Sequence, residues 1–295
     1  MMTIAPTATH RIRAAGEASR GAWRRSDAIL RTAIVVLGLI VVVTLFAVLT
    51  GLTGSTEATV AGRLDGPSAL APLGTDNLGR SLLPRVFQGT ATTLVVSIAA
   101  VLCSAVVSTV LGMLAGYYGG AVNEAVMRVA DVLYAFPALV LAILVSALLG
   151  PGRPAAIISI VIITIPLMTR VVRIATRAVA ERDFIVSARI SGVRTPVIFA
   201  RRLLPNISGT VTVQASYALS VAILVEGGLS FLGFGVQVPE ASLGLLIQQG
   251  MLYMTQAPQL VVIPGAVLVI SILCINIIGD GLRDRFEPRE TRSLR

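Results

Sequence analysis

The chain contains no lysine, a single histidine (His10), two cysteines, and charged residues amounting to only 13%. Aromatic residues make up 5%. Each shortage excludes something. One histidine and two cysteines at positions 103 and 274 leave no metal-ligand spacing, no Cys–His pair and no Ser–His–Asp set. No GxxxxGK[ST] loop exists to cradle a nucleotide. Soluble domains carry about 25% charged residues, so this chain has too few charges to wrap its own apolar content in water. Cys103 and Cys274 both lie in apolar runs and read as small buried hydrophobes rather than a disulfide. Few aromatics and no base-stacking pattern argue against nucleic acid as the partner of the basic residues.

What is present in quantity is apolar: 55% of the residues, with a mean hydropathy of +0.86. Lipid is the natural solvent for such a surface. Crossing about 30 Å of hydrocarbon takes about 20 apolar residues. Six runs of that kind occur, at 29–49, 92–115, 126–149, 155–172, 209–225 and 260–278. Runs this long must be helical, because only a helix pairs every backbone group within the segment. The expected fold class is therefore all-α, a polytopic membrane protein with six transmembrane helices. The first run follows about 28 polar, arginine-rich residues and has no small-residue cleavage site, so it reads as a retained span rather than a signal peptide.

The 24 arginines are distributed unevenly. Twenty fall before or at the start of the first run, after the second, from the end of the fourth to the fifth, or after the sixth. Four (Arg63, Arg80, Arg85, Arg153) fall in the other connections. The positive-inside rule then places both termini in the cytoplasm of a multi-pass protein of the bacterial cytoplasmic membrane. The chain divides into a cytoplasmic tail (1–28), a first span (29–50), an extracytoplasmic loop (51–91) with a short helix expected near Asp76, a five-helix core (92–280) and a second cytoplasmic tail (281–295).

The most informative connection reads RDFIVSARISGVRTPVIFARRLLPN (182–206). Asp183 suits a helix N-cap and Gly192 suits the left-handed residue past a helix end. Thr195 suits a second N-cap, Pro196 the first helical turn, and Pro205 a helix stop. The pattern predicts a short helix, a sharp turn and a second short helix. Phe184, Ile185, Ala188 and Ile190 give it apolar surface that two such helices cannot bury alone. That surface suits either a protein groove or anionic lipid.

This stretch resembles the cytoplasmic coupling loop of ABC importer permeases. In that family an EAA triplet is followed four residues later by Gly, then by a basic helix ending in Leu-Pro. Gly192, Leu204, Pro205 and Asn206 match, while the triplet falls on Val186, Ser187 and Ala188, so only its last residue fits. Four further segments resemble the dipeptide/oligopeptide/nickel branch of these binding-protein-dependent permeases, in its shorter C-type form. They are LGTDNLGRS (73–81, with Ser81 where the family usually has Asp), RVADVLYAFPALVLAI (128–143), EGGLSFLGFGVQVPEASLGLLIQQG (226–250) and NIIGDGLRDRFEPR (276–289).

The resemblance implies a permease subunit of an ATP-driven importer, carrying di- or oligopeptides, nickel or a related small solute. It implies a second homologous permease, two ABC ATPase subunits and an extracytoplasmic solute-binding protein as partners. ATP and Mg²⁺ would sit on the ATPases, leaving this chain with no cofactor and no catalytic residue. The loop 181–206 would be the ATPase contact, through Asp183, Phe184, Ile185, Ser187, Ala188, Arg189, Gly192, Val193, Pro196, Arg201, Leu204 and Pro205. An ion-coupled secondary transporter, the rival class, predicts inverted repeats and broken helices, which the sequence does not display.

Several residues carry two readings. Asp131, inside the third run, lines a pathway or pairs with Arg128 one turn before it. Gln214, Ser216, Tyr217 and Ser220 line a pathway or pack helices. Glu226 faces an outer vestibule or caps a break at Gly227 and Gly228. Pro137 and Pro166 bend their spans. Gly112 and Gly116 form a small-xxx-small packing pair.

Overall fold

In the computed structural model the long apolar segments are helices. The structure describes residues 8–52 and 58–286, with side chains from residue 28 onward. The helices are α1 (Ala8–Leu49), α2 (Leu82–Tyr118), α3 (Gly120–Tyr134), α4 (Ala138–Leu149), α5 (Arg153–Ala180), α6 (Asp183–Ile190), α7 (Thr195–Ile198), α8 (Leu204–Phe231), α9 (Leu243–Met251) and α10 (Gln259–Phe286). Among the described residues there is no β-strand, only two isolated bridges in the loop before α2. Among the described residues, five helices are long and apolar enough to cross a membrane, and six crossings result if the bent pair α3–α4 counts as one.

The third run departs from the single span expected at 126–149. It breaks at Phe136–Pro137, and α3 and α4 diverge by 91°. Two causes act together. Pro137 disfavours helix in the residue before it and supplies no N–H. The segment ahead of it carries Glu124, Arg128 and Asp131 on α3, charges that hydrocarbon does not accept. A broken helix is thus present, contrary to the sequence reading.

Helices α2 and α5 form the central pair, with α8 against both and α10 closing onto α8. The close approach of α2 to α5 depends on the two glycines. A Cβ at Gly112 would lie 2.7 Å from the Cβ of Val172, and one at Gly116 would lie 2.6 Å from the carbonyl of Arg173. Such contacts require a shift of backbone, so the pair packs as the small-xxx-small motif predicts. Between α2, α4, α5 and α8 lies one apolar core, with Val96, Ala100, Ile160, Met168, Ala222 and Leu229 at its centre. Helix α1 touches only α10 and α2 appreciably, and its apolar residues face outward. Cys274 is buried as expected, but Cys103 is exposed on α2.

Candidate functional site

Two constellations stand at opposite ends of the bundle. The first is the connection between α5 and α8. Helix α6 begins at Asp183, which occupies the first turn rather than the cap position; Arg182 is the capping residue and makes no side-chain cap bond. Asp183 therefore acts on the helix dipole alone. The helix ends as predicted. Gly192 has φ +72°, its N–H donates to the Arg189 carbonyl, and the Val193 N–H donates to the Ala188 carbonyl at 3.1 Å. That double closure is a Schellman motif.

Arg194, not Thr195, caps α7, and Pro196 lies in its first turn. Pro205 does not stop a helix. Between α7 and α8 the chain widens into a π turn, Phe199–Leu203, closed by the Leu204 N–H on the Phe199 carbonyl. Pro205 has no N–H for the Arg201 carbonyl, and its ring would crowd that carbonyl in an α-helix; the wider turn relieves both. The result is one continuous element from Thr195 to Phe231.

The knuckle has a clear inside and outside. Ile185 and Ala188 are buried, with Ile198, Leu203 and Ile207, against Met113 and Val172. They anchor α6 and offer no contact surface, which corrects their reading as interface residues. Asp183, Phe184, Ser187, Arg189, Gly192, Pro196, Arg201, Leu204 and Pro205 are exposed, and Val193 is half-buried. Ile190 stands out at 82% exposed, beside the exposed Val186 and Val197. Arg189 lies over the ring of Tyr117 at 4.6 Å. The outer face is therefore an apolar crest edged with cations.

The second constellation, at the other end, was not legible beforehand. Asp76 is buried and accepts four hydrogen bonds. Its Oδ1 takes the N–H groups of Leu78 and Arg80, at 2.8 and 3.0 Å. Its Oδ2 takes Arg80 Nε at 2.7 Å and Arg85 Nη1 at 2.6 Å. Arg85 is 4% exposed and reaches Gln249 Oε1 of α9 at 2.9 Å. No short helix begins near Asp76; the residue instead folds a tight turn six residues before α2.

One layer deeper, Glu226 is fully buried. The Thr93 hydroxyl donates to its Oε2 and the Ser230 hydroxyl to its Oε1, both at 2.7 Å. Thr93 Oγ1 in turn accepts the Leu243 N–H, and Ser230 Oγ accepts the Val236 N–H. Ser242 caps α9 by accepting the Leu245 N–H. A Cβ on Gly244 would strike the carbonyl of Gly227. Helix α9, missed in the sequence because nine residues are too few for a span, is thus stapled onto α2 and α8.

The remaining pathway candidates are accounted for differently. Asp131 pairs with Arg170 at 2.7 Å, while Arg128 pairs with Glu124; the expected Asp131–Arg128 pair does not form, because Arg170 on α5 faces α3 directly. Ser216 faces Gly279 of α10, where a Cβ would lie 2.7 Å from its hydroxyl. The Tyr217 hydroxyl donates to Asp280 at 2.6 Å. Both are helix-packing residues. Gln214 is half-buried and Ser220 is buried.

The chain is a membrane-spanning bundle with a projecting helix–turn–helix between α5 and α8. Residues 108–292 match the family described as binding-protein-dependent transport system inner membrane component, and the chain belongs to that family. It is 34% identical over 273 residues to the dipeptide transport system permease protein DppC of Alkalihalophilus pseudofirmus, covering 90% of each chain. It is 36% identical to the glutathione transport system permease protein GsiD of Pectobacterium atrosepticum, covering 76% of this chain and 75% of that one. Among solved structures, an inward-facing MetNI methionine ABC transporter chain superposes with a TM-score of 0.55 at 18% identity. The match covers 70% of this chain and 97% of that one, a likeness of fold.

Proposed function

We propose that this chain is one permease half of an ATP-driven importer of di- and oligopeptides, working in the bacterial cytoplasmic membrane with a second, homologous permease. Its arginine-rich end, with α6 and α7, faces the cytoplasm together with both termini, as the charge asymmetry favours. Two ATPase subunits bind ATP and Mg²⁺, and each receives one coupling loop. This chain holds no cofactor and performs no chemistry. A solute-binding protein delivers cargo at the opposite end, where α9 lies.

The observation that carries this reading is the shape of the knuckle. Its apolar crest of Phe184, Val186 and Ile190 lies outside every core of the chain, while Ile185 and Ala188 lock it from beneath. A rigid, anchored element with an unburied crest suits a partner groove. Its continuity with α8 converts groove movement into movement of a span. The peptide cargo rests on the collinear likeness to the dipeptide and glutathione permeases.

A photo-cross-linker at Ile190, in cells expressing the neighbouring transport subunits, tests the contact. Capture of a nucleotide-hydrolysing subunit supports the assignment; capture of lipid alone overturns it. Uptake of labelled dipeptide by vesicles with and without this chain tests the cargo, and equal uptake in both would rule out peptides.

A further inference from the structure

Beside the knuckle lies a cavity of about 460 Å³ between the α2–α3 turn, α5 and α6, with Val186 of α6 in its lining. Three guanidinium groups line it, from Arg173, Arg177 and Arg189, against one carboxylate, Glu181. None of the three is fully paired. Arg173 gives one N–H to Asn123 at 3.2 Å, while its Nε is buried with no hydrogen-bond partner. Arg177 meets Glu181 at 3.2 Å in an exposed pair. Arg189 has only the face of Tyr117, which leaves its N–H donors unspent.

The backbone adds donors to the same place. Gly119 and Gly120, both lining the cavity, have φ values of +65° and +47° and open the 15-residue helix α3 without a side-chain cap or an acidic residue in its first turn. The first N–H groups of such a helix have no intrahelical acceptor, and the positive end of its dipole favours an anion. A buried guanidinium atom without a partner, an excess of positive charge and an uncapped helix start converge on one space.

We infer that this cavity binds a phosphate-class anion, either the headgroup of an anionic phospholipid or free phosphate. The tetrahedral group offers several acceptor oxygens, matching guanidinium forks approaching from α5 and α6 and the N–H groups of α3. Occupied, it would brace α6 against α5 and so stiffen the knuckle. The inference stands on these residues alone and is independent of the solute carried.

The test uses the full chain in nanodiscs of mixed phosphatidylglycerol and phosphatidylcholine, released into native mass spectrometry. Wild type retains phosphatidylglycerol over phosphatidylcholine by about thirtyfold, the factor expected of two arginine contacts to an anionic headgroup. R173Q/R189Q loses that preference, and R177Q, at an exposed position, shows a partial fall. R182Q/R194Q, which removes equal charge from the same connection outside the cavity, keeps it. A parallel arm follows thermal unfolding in neutral detergent with inorganic phosphate against chloride at matched ionic strength. A phosphate-dependent rise in Tm for wild type and R182Q/R194Q, absent from R173Q/R189Q, identifies free phosphate as a ligand. Lipid preference without that rise identifies the headgroup. The inference is overturned if phosphatidylglycerol retention is the same in all variants and phosphate shifts none of them.

Discussion

Replacing Asp76 by Asn tests whether the turn before α2 is held by charge or merely by shape. The substitution preserves volume, and an amide oxygen at the Oδ1 position can still accept from Leu78 and Arg80. The amide nitrogen then occupies the Oδ2 position, where Arg80 Nε and Arg85 Nη1 lie at 2.7 and 2.6 Å. Donors would face a donor; turning the amide over moves the conflict to the two backbone N–H groups. Arg80 is partly exposed and can turn to water. Arg85 cannot, with its side chain 5% exposed, and would be left buried with only Gln249 as a partner. Breaking a buried ion pair by removing one member costs about 3–5 kcal/mol. The assay is unfolding by SDS in mixed micelles, read by thiol labelling of the buried Cys274 in a Cys103→Ser background. Asp76→Asn is expected to lower stability by about 3 kcal/mol or more, and Asp76→Asn/Arg85→Gln to recover about 2 kcal/mol relative to the sum of the singles. A loss below about 1 kcal/mol, or strict additivity of the two changes, would refute the claim that this pair anchors the outer loop.

Gly192→Val forces a β-branched residue into the left-handed region at a cost of about 1–3 kcal/mol; ATP hydrolysis by the assembled transporter should persist while solute uptake falls, whereas Gly192→Asn should be milder. Gly244→Ala places a methyl against the Gly227 carbonyl and should cost about 1–3 kcal/mol in the same SDS assay. Gly265→Ala, with open space around it, should stay within about 0.5 kcal/mol. Glu226→Gln leaves either Thr93 or Ser230 facing an amide N–H while its oxygen already accepts a backbone N–H. The turned hydroxyl loses its acceptor, for an expected loss of about 1–3 kcal/mol.

The long apolar runs announced their helices because lipid leaves the backbone no other way to satisfy itself, and charge asymmetry oriented them on paper. The knuckle was legible for a related reason. Gly192 and Pro196 act through local backbone geometry, which a sequence displays within a few residues. Contacts closed by distant residues were not legible. Arg85 meets Gln249 across 164 positions, and Thr93 meets Glu226 across 133. Asp131 looked paired to Arg128 because the sequence shows only neighbours, while Arg170 comes from another helix. The break at Phe136–Pro137 did leave a trace, in the proline and in the three charges ahead of it. Helix α9 left one too: Ser242 before an apolar stretch is an N-cap signal, hidden by the search for span-length runs. Pro205 misled because a proline that stops an α-helix can begin one when a wider turn precedes it.

The 37 residues from Thr195 to Phe231 form a single shaft about 55 Å long. One end joins the crest on α6 through the turn at Gly192; the other carries Glu226, which accepts from Thr93 and Ser230. The π turn at Phe199–Leu203 lies near the foot of the shaft; above it the unbroken α-helix Leu204–Phe231 can carry a displacement toward the hydroxyl clasp under α9. On the proposed coupling, loosening the clasp should alter how far a movement at the foot travels without changing ATP hydrolysis on the partner subunits.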